Sequence, residues 1–139
     1  MPGNTVTLAW PADVPKLAPD AEFLWQLDAL NDIKSLRSDS SVFRTSSQSL
    51  RDGVASNLTH IADSAGGVNT PAARYLAGSY LSGLGLYHDA VTQFQALTTL
   101  SPDSAAPHEA LGDVYSKVGL MDLAAAEYQQ ALALGRDTP

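Results

Sequence analysis

Residues 71–104 read PAARYLAGSYLSGLGLYHDAVTQFQALTTLSPDS, and residues 105–138 read AAPHEALGDVYSKVGLMDLAAAEYQQALALGRDT. Displaced by 34 positions, Gly78 falls on Gly112, Gly85 on Gly119, Leu86 on Leu120, Ala90 on Ala124, Phe94 on Tyr128, Gln95 on Gln129 and Leu100 on Leu134. The same shift places Ala77 on Leu111, Leu81 on Tyr115, Leu84 on Val118 and Asp103 on Asp137. A fixed period of this length marks a stacked helical repeat. Each copy reads as two antiparallel helices. Gly85 and Gly119 are placed to take the positive φ that ends the first helix. Gly78 and Gly112 let the paired helices approach closely, with Ala90 and Ala124 expected to face them. Leu86, Val91, Phe94 and Leu97 recur at helical spacing, as do Leu120, Leu123, Tyr128 and Leu132. A single hairpin cannot bury such a stripe, so each copy is expected to stack on a neighbour.

These residues resemble the tetratricopeptide family. Its motif asks for Leu-Gly, an aromatic, Gly, Ala, an aromatic, Ala and Pro at fixed offsets. The second copy supplies Leu111-Gly112, Tyr115, Gly119, Ala124, Tyr128 and Ala131. The first supplies Gly78, Gly85, Ala90, Phe94 and Pro102, and departs at Ala77, Leu81 and Leu97. Arg74 and His108 stand where Trp is usual, and Arg136 where Pro is usual. The resemblance implies an all-α, right-handed superhelical stack of helix hairpins that binds partners on a concave face. It carries the groove onto Ala72, Tyr75, Ser79, Ser82 and Gly83 in the first copy, and onto Ala106, Glu109, Asp113, Ser116 and Lys117 in the second. The Lys, Arg and Asn set with which some members grip a carboxylate tail is absent. Glu109 and Asp113 would repel an acidic tail and attract a neutral or basic peptide or helix.

Outside the repeats, residues 1–19 hold Pro2, Pro11, Pro15 and Pro19 and read as an extended tail. Within it Thr5–Trp10 alternates like a short strand, which needs a partner edge, or docks Leu8 and Trp10 on the first helix. Asp20 is a candidate N-cap for an amphipathic helix to about Arg37, with Phe23, Leu24, Leu27, Leu30 and Ile33 as its stripe. The serine- and threonine-rich stretch 38–49 reads as a loop ending in an N-cap at Ser46 or Ser47, with Phe43 tucked against helices. A helix over about 49–65 follows, with Leu50, Val54, Leu58 and Ile61 on one face and Gly66-Gly67 at its end. Residues 20–68 thus read as a degenerate capping hairpin, which makes about six helices in residues 20–139. A β-sheet anywhere beyond the tail contradicts that arrangement.

The chain has 139 residues, 45% apolar, with a formal charge of −7. That is globular composition, and the acidity argues against a nucleic-acid or anionic-membrane partner. No apolar run is long enough to span a bilayer, and Met1-Pro2-Gly3-Asn4 opens no signal peptide. Cytoplasmic and periplasmic spaces both accept a chain without cysteine. His60, His88 and His108 have no metal-ligand spacing, no nucleophile elbow occurs, and Gly83-x-Gly85 lacks the context of a phosphate loop. Asn57-Leu58-Thr59 matches a glycosylation triplet inside a helix, where it reads as chance. The expectation is therefore a non-catalytic protein-interaction scaffold without cofactor or metal. A structural module within a larger chain is the second reading, packing flanking domains or pairing as a homodimer.

Overall fold

The computed structural model describes residues 15–30 and 35–136. Thr5–Trp10, Ile33 and Asp137 lie outside the described residues. The chain divides into two compact units, one reaching Gly53 and the other beginning at Val54. It is mostly helical, but the small two-stranded sheets beyond the tail correct the expected all-α class.

The first unit overturns the expected helix over residues 20–37. It contains β1 (Glu22–Trp25), β2 (Asp28–Leu30), β3 (Ser35–Arg37) and β4 (Ser41–Arg44). β1 pairs antiparallel with β4, Glu22 opposite Arg44 and Trp25 opposite Ser41. β2 pairs antiparallel with β3, Asp28 opposite Arg37 and Leu30 opposite Ser35. Between the two ladders Gln26 and Leu27 face Ser38, Asp39 and Ser40, so one strand carries an extra residue, which is the definition of a β-bulge. Ser38 stabilises the offset. Its hydroxyl accepts from the Leu27 N–H at 3.0 Å, and its own N–H donates to the Leu27 carbonyl at 2.8 Å.

The reason for the correction is non-local. Phe23, Leu24, Leu27 and Leu30 fit a helical period, but their partners lie across a folded-back ribbon, Phe43 for Phe23, Val42 for Leu24, Ser38 for Leu27 and Ser35 for Leu30. Val42 and Phe43, the apolar pair inside the serine-rich stretch, form β4 rather than a loop, and the ring of Phe43 stacks on Phe23 at 5.5 Å. Cross-strand ion pairs sit in register, Arg37 to Asp28 at 2.7 Å and Arg44 to Glu22 at 3.5 Å. Asp20 is no N-cap; it lies in a turn with φ 53°. Below the ribbon Thr45 accepts from the Ala21 N–H through its hydroxyl and donates to the Ala21 carbonyl through its backbone.

Five helices follow: α1 (Gln48–Ser64), α2 (Pro71–Gly83), α3 (Tyr87–Leu100), α4 (Ala106–Lys117) and α5 (Met121–Arg136). α1 agrees to within a residue with the helix expected over about 49–65, and the other four are the two antiparallel pairs expected of the two copies. Five replace the six expected because the first became the ribbon. Ser47 caps α1, accepting from the Leu50 N–H at 3.2 Å. Thr70 caps α2, accepting from the Ala73 N–H at 3.1 Å, with Pro71 in the first turn.

The ends of α2 and α4 are the same device 34 residues apart. Gly85 (φ 76°) and Gly119 (φ 79°) adopt the left-handed conformation that side chains resist. Leu86 N–H reaches the Leu81 carbonyl and Gly85 N–H the Ser82 carbonyl; Leu120 and Gly119 do likewise with Tyr115 and Ser116. These paired bonds satisfy carbonyls that a helix end otherwise leaves open.

In the second unit α2 packs on α3, α4 on α5, and α3 on α4, with α2 also reaching α4. Leu81, Ala90, Phe94, Leu111 and Val114 form the core, with Val54 and Leu58 of α1 packed against it. A Cβ on Gly78 would lie 2.6 Å from the Phe94 ring, and one on Gly112 would lie 2.5 Å from the Tyr128 ring. The atoms nearest each glycine are thus those of an aromatic ring. Ala90 and Ala124, the alanines expected to face the glycines, are buried.

Candidate functional site

The groove positions fall on α2 and α4, whose spacing is set by the buried layer beneath them. Phe94 rises from α3 over Gly78, and Val114 and Leu111 fill the space below α4. A cavity of about 280 Å³ opens above this layer. Tyr75, Ser79, Ser82 and Gly83 line it from α2, and Ala106, Glu109, Asp113 and Lys117 from α4. The structure therefore brings together eight of the ten residues onto which the groove was carried. Ser116 does not line the cavity. Ala72 is not among the lining residues either.

Phe94, Ala110 and Val114 also line the cavity; of these the sequence reading placed Phe94 in the apolar stripe and did not single out the other two. Phe94 is buried, yet its ring meets Tyr75 edge-on at 6.1 Å. A core aromatic that also floors a cavity has no signature in a repeat pattern.

Three of the polar groups are already engaged. Asp113 accepts a hydrogen bond from the Tyr128 hydroxyl at 2.7 Å. That bond raises the phenol above its ordinary value, helped by desolvation and then by the carboxylate's charge. Lys117 Nζ donates to the Ser82 hydroxyl at 3.3 Å across the two copies. Glu109 and Asp113 stand one turn apart on α4, so the lining holds two carboxylates against one ammonium. The arrangement suits hydrogen-bond donors and cations, over an apolar floor of aromatic ring and alanine.

Among the histidines, His108 pairs its Nδ1 with Glu127 Oε2 at 2.7 Å, joining α4 to α5. Asn57 donates to the Tyr80 hydroxyl at 2.8 Å, so the amide of the glycosylation triplet is engaged on a helix. Among the described residues, no cluster of histidine, aspartate and glutamate gathers as a metal site, and no helix is long and apolar enough to cross a membrane. No protein-family model matches the chain, and no curated protein is significantly similar to it.

Proposed function

We propose that residues 71–136 are two tetratricopeptide-like repeats within a helical solenoid, and that the α2–α4 groove binds a neutral or basic segment of a partner protein. The module acts by binding, without catalysis. The observation that carries this reading is the cavity itself: Tyr75, Ser79 and Ser82 meet Glu109 and Asp113 around one opening of about 280 Å³. A lysine or arginine of the partner would pair with Glu109, whose carboxylate extends from the first turn of α4. An apolar side chain of the partner would lie against Tyr75 and the Phe94 ring.

The test is affinity capture with the intact chain, followed by charge reversal. Replacing Glu109 and Asp113 by Lys is expected to abolish capture of a basic partner, and Glu109→Lys alone to weaken it, since that change leaves the Tyr128 hydrogen bond intact. Unchanged capture by the double variant would overturn the proposal.

A second reading has one observation in its favour. Met121 and Leu132, on one face of α5, are exposed, Leu132 at 66%, apolar surface of the kind used in assembly. Light scattering separates the two: a tight dimer lost on Leu132→Glu supports assembly, and a monomer supports the groove.

A further inference from the structure

A second cavity, of about 190 Å³, opens between α1, α2 and α3, away from the groove. Leu58, Ile61, Val68 and Ala77 give it apolar walls, and Arg74 and Gln93 complete the lining. Arg74 is the only charged residue there. Its Nη1 donates to Gln93 Oε1 at 2.7 Å and its Nη2 to Asn69 Oδ1 at 2.6 Å. Its Nε–H is buried with no acceptor. Among the described residues no carboxylate lies within 4.0 Å of the guanidinium.

The two amide contacts tie the α1–α2 turn to α3, and that structural role is real. It does not account for the charge. A partly buried cation costs free energy unless an anion compensates it, and a buried N–H without a partner adds to that cost. The chain has 15 acidic residues against 8 basic ones, yet among the described residues none is placed here. A guanidinium held by neutral oxygens beside an apolar cavity is poised to exchange one of them for a carboxylate. The charged acceptor makes the stronger bond and matches the planar fork.

We propose that this cavity binds the carboxylate of a small apolar acid, with Arg74 as its counterion and Leu58, Ile61, Val68 and Ala77 around the hydrocarbon. Its volume exceeds the roughly 150 Å³ that accommodates benzene, so a branched five-carbon acid or a leucine-like chain end fits. Two sources share that chemistry: a free monocarboxylate and the C-terminal residue of a peptide.

The test titrates the ¹⁵N-labelled intact chain with 3-methylbutanoate and follows the Arg74 Nε–H and the backbone amides of Ala62 and Ala77. Saturable shifts are expected, with 3-methylbutanamide, of the same shape but uncharged, weaker by about tenfold or more. Arg74→Gln should weaken the acid by a similar factor. Ala77→Leu, which fills the cavity and leaves the charge, should also reduce binding. A short peptide ending in leucine identifies the source. Tighter binding than the free acid, lost on C-terminal amidation, assigns a chain end; equal or weaker binding assigns the free acid. No saturable shift in the wild-type chain, equal shifts with chloride, or equal affinity for the amide overturns the proposal. None of these outcomes depends on the groove.

Discussion

Phe94 and Tyr128 hold the same place in the two copies, each laying its ring over a glycine of the preceding helix, yet Phe94 is 2% exposed and Tyr128 37%. The difference lies in what comes next. α4 packs on α3 and encloses Phe94, whereas no helix among the described residues packs over α5. One aromatic is a core residue, and the other is a ring with one open side and a hydroxyl spent on Asp113. A repeated sequence therefore yields unequal energetics, because burial depends on the neighbour and not on the motif.

The comparison is broken most sharply by truncating both rings. Phe94→Ala is expected to cost about 3–5 kcal/mol, the range for a buried phenylalanine. Tyr128→Ala should cost about 1–2 kcal/mol, because half the contact is missing already. Urea unfolding followed by circular dichroism reads both, and equal losses would show that the two sites are buried alike in solution.

The glycines sharpen it. Gly78→Ala pushes a methyl into an enclosed ring and should destabilise by about 1–2 kcal/mol, overpacking outweighing the gain in helix propensity. At Gly112 the Tyr128 ring has room to swing outward. There the propensity gain of about 1 kcal/mol offsets the shift, and Gly112→Ala should lie near zero. A larger loss at Gly112 than at Gly78 would reverse this account.

The smallest effect is a pH dependence. The Tyr128 phenol is raised above its ordinary value of 10.0, chiefly by its hydrogen bond to Asp113. A group raised in the folded state stabilises below its unfolded pKa, and that contribution is lost as pH rises through the folded value. Wild type should thus hold a small advantage over Tyr128→Phe at neutral pH that disappears in strong alkali. Asp113→Asn should bring the phenol back toward its ordinary range in an ultraviolet titration. A titration unmoved by that substitution would mean that the bond does not form.

The two ends of the chain were not equally readable. The helices from Gln48 onward follow from local features: Ser47 and Thr70 as caps, Pro71 in a first turn, Gly85 and Gly119 at left-handed ends. The groove positions came from the family resemblance, laid residue by residue onto what became α2 and α4. The ribbon was missed because Phe23, Leu24, Leu27 and Leu30 satisfy a helical period in isolation. The available clue was the sign of the charges, Glu22 and Asp28 ahead, Arg37 and Arg44 behind, which pair only when the segment folds back on itself.

The sequence by itself determined the helical hairpins, their turns and the small residues at which they close, since these depend on backbone sterics and on neighbours a turn away. Only the tertiary structure decided that residues 22–44 pair as strands, that Phe94 floors a cavity, and that Arg74 lacks an anion. Each of those is a relation between elements distant in the chain, and the packing free energy that selects it is absent from any local pattern.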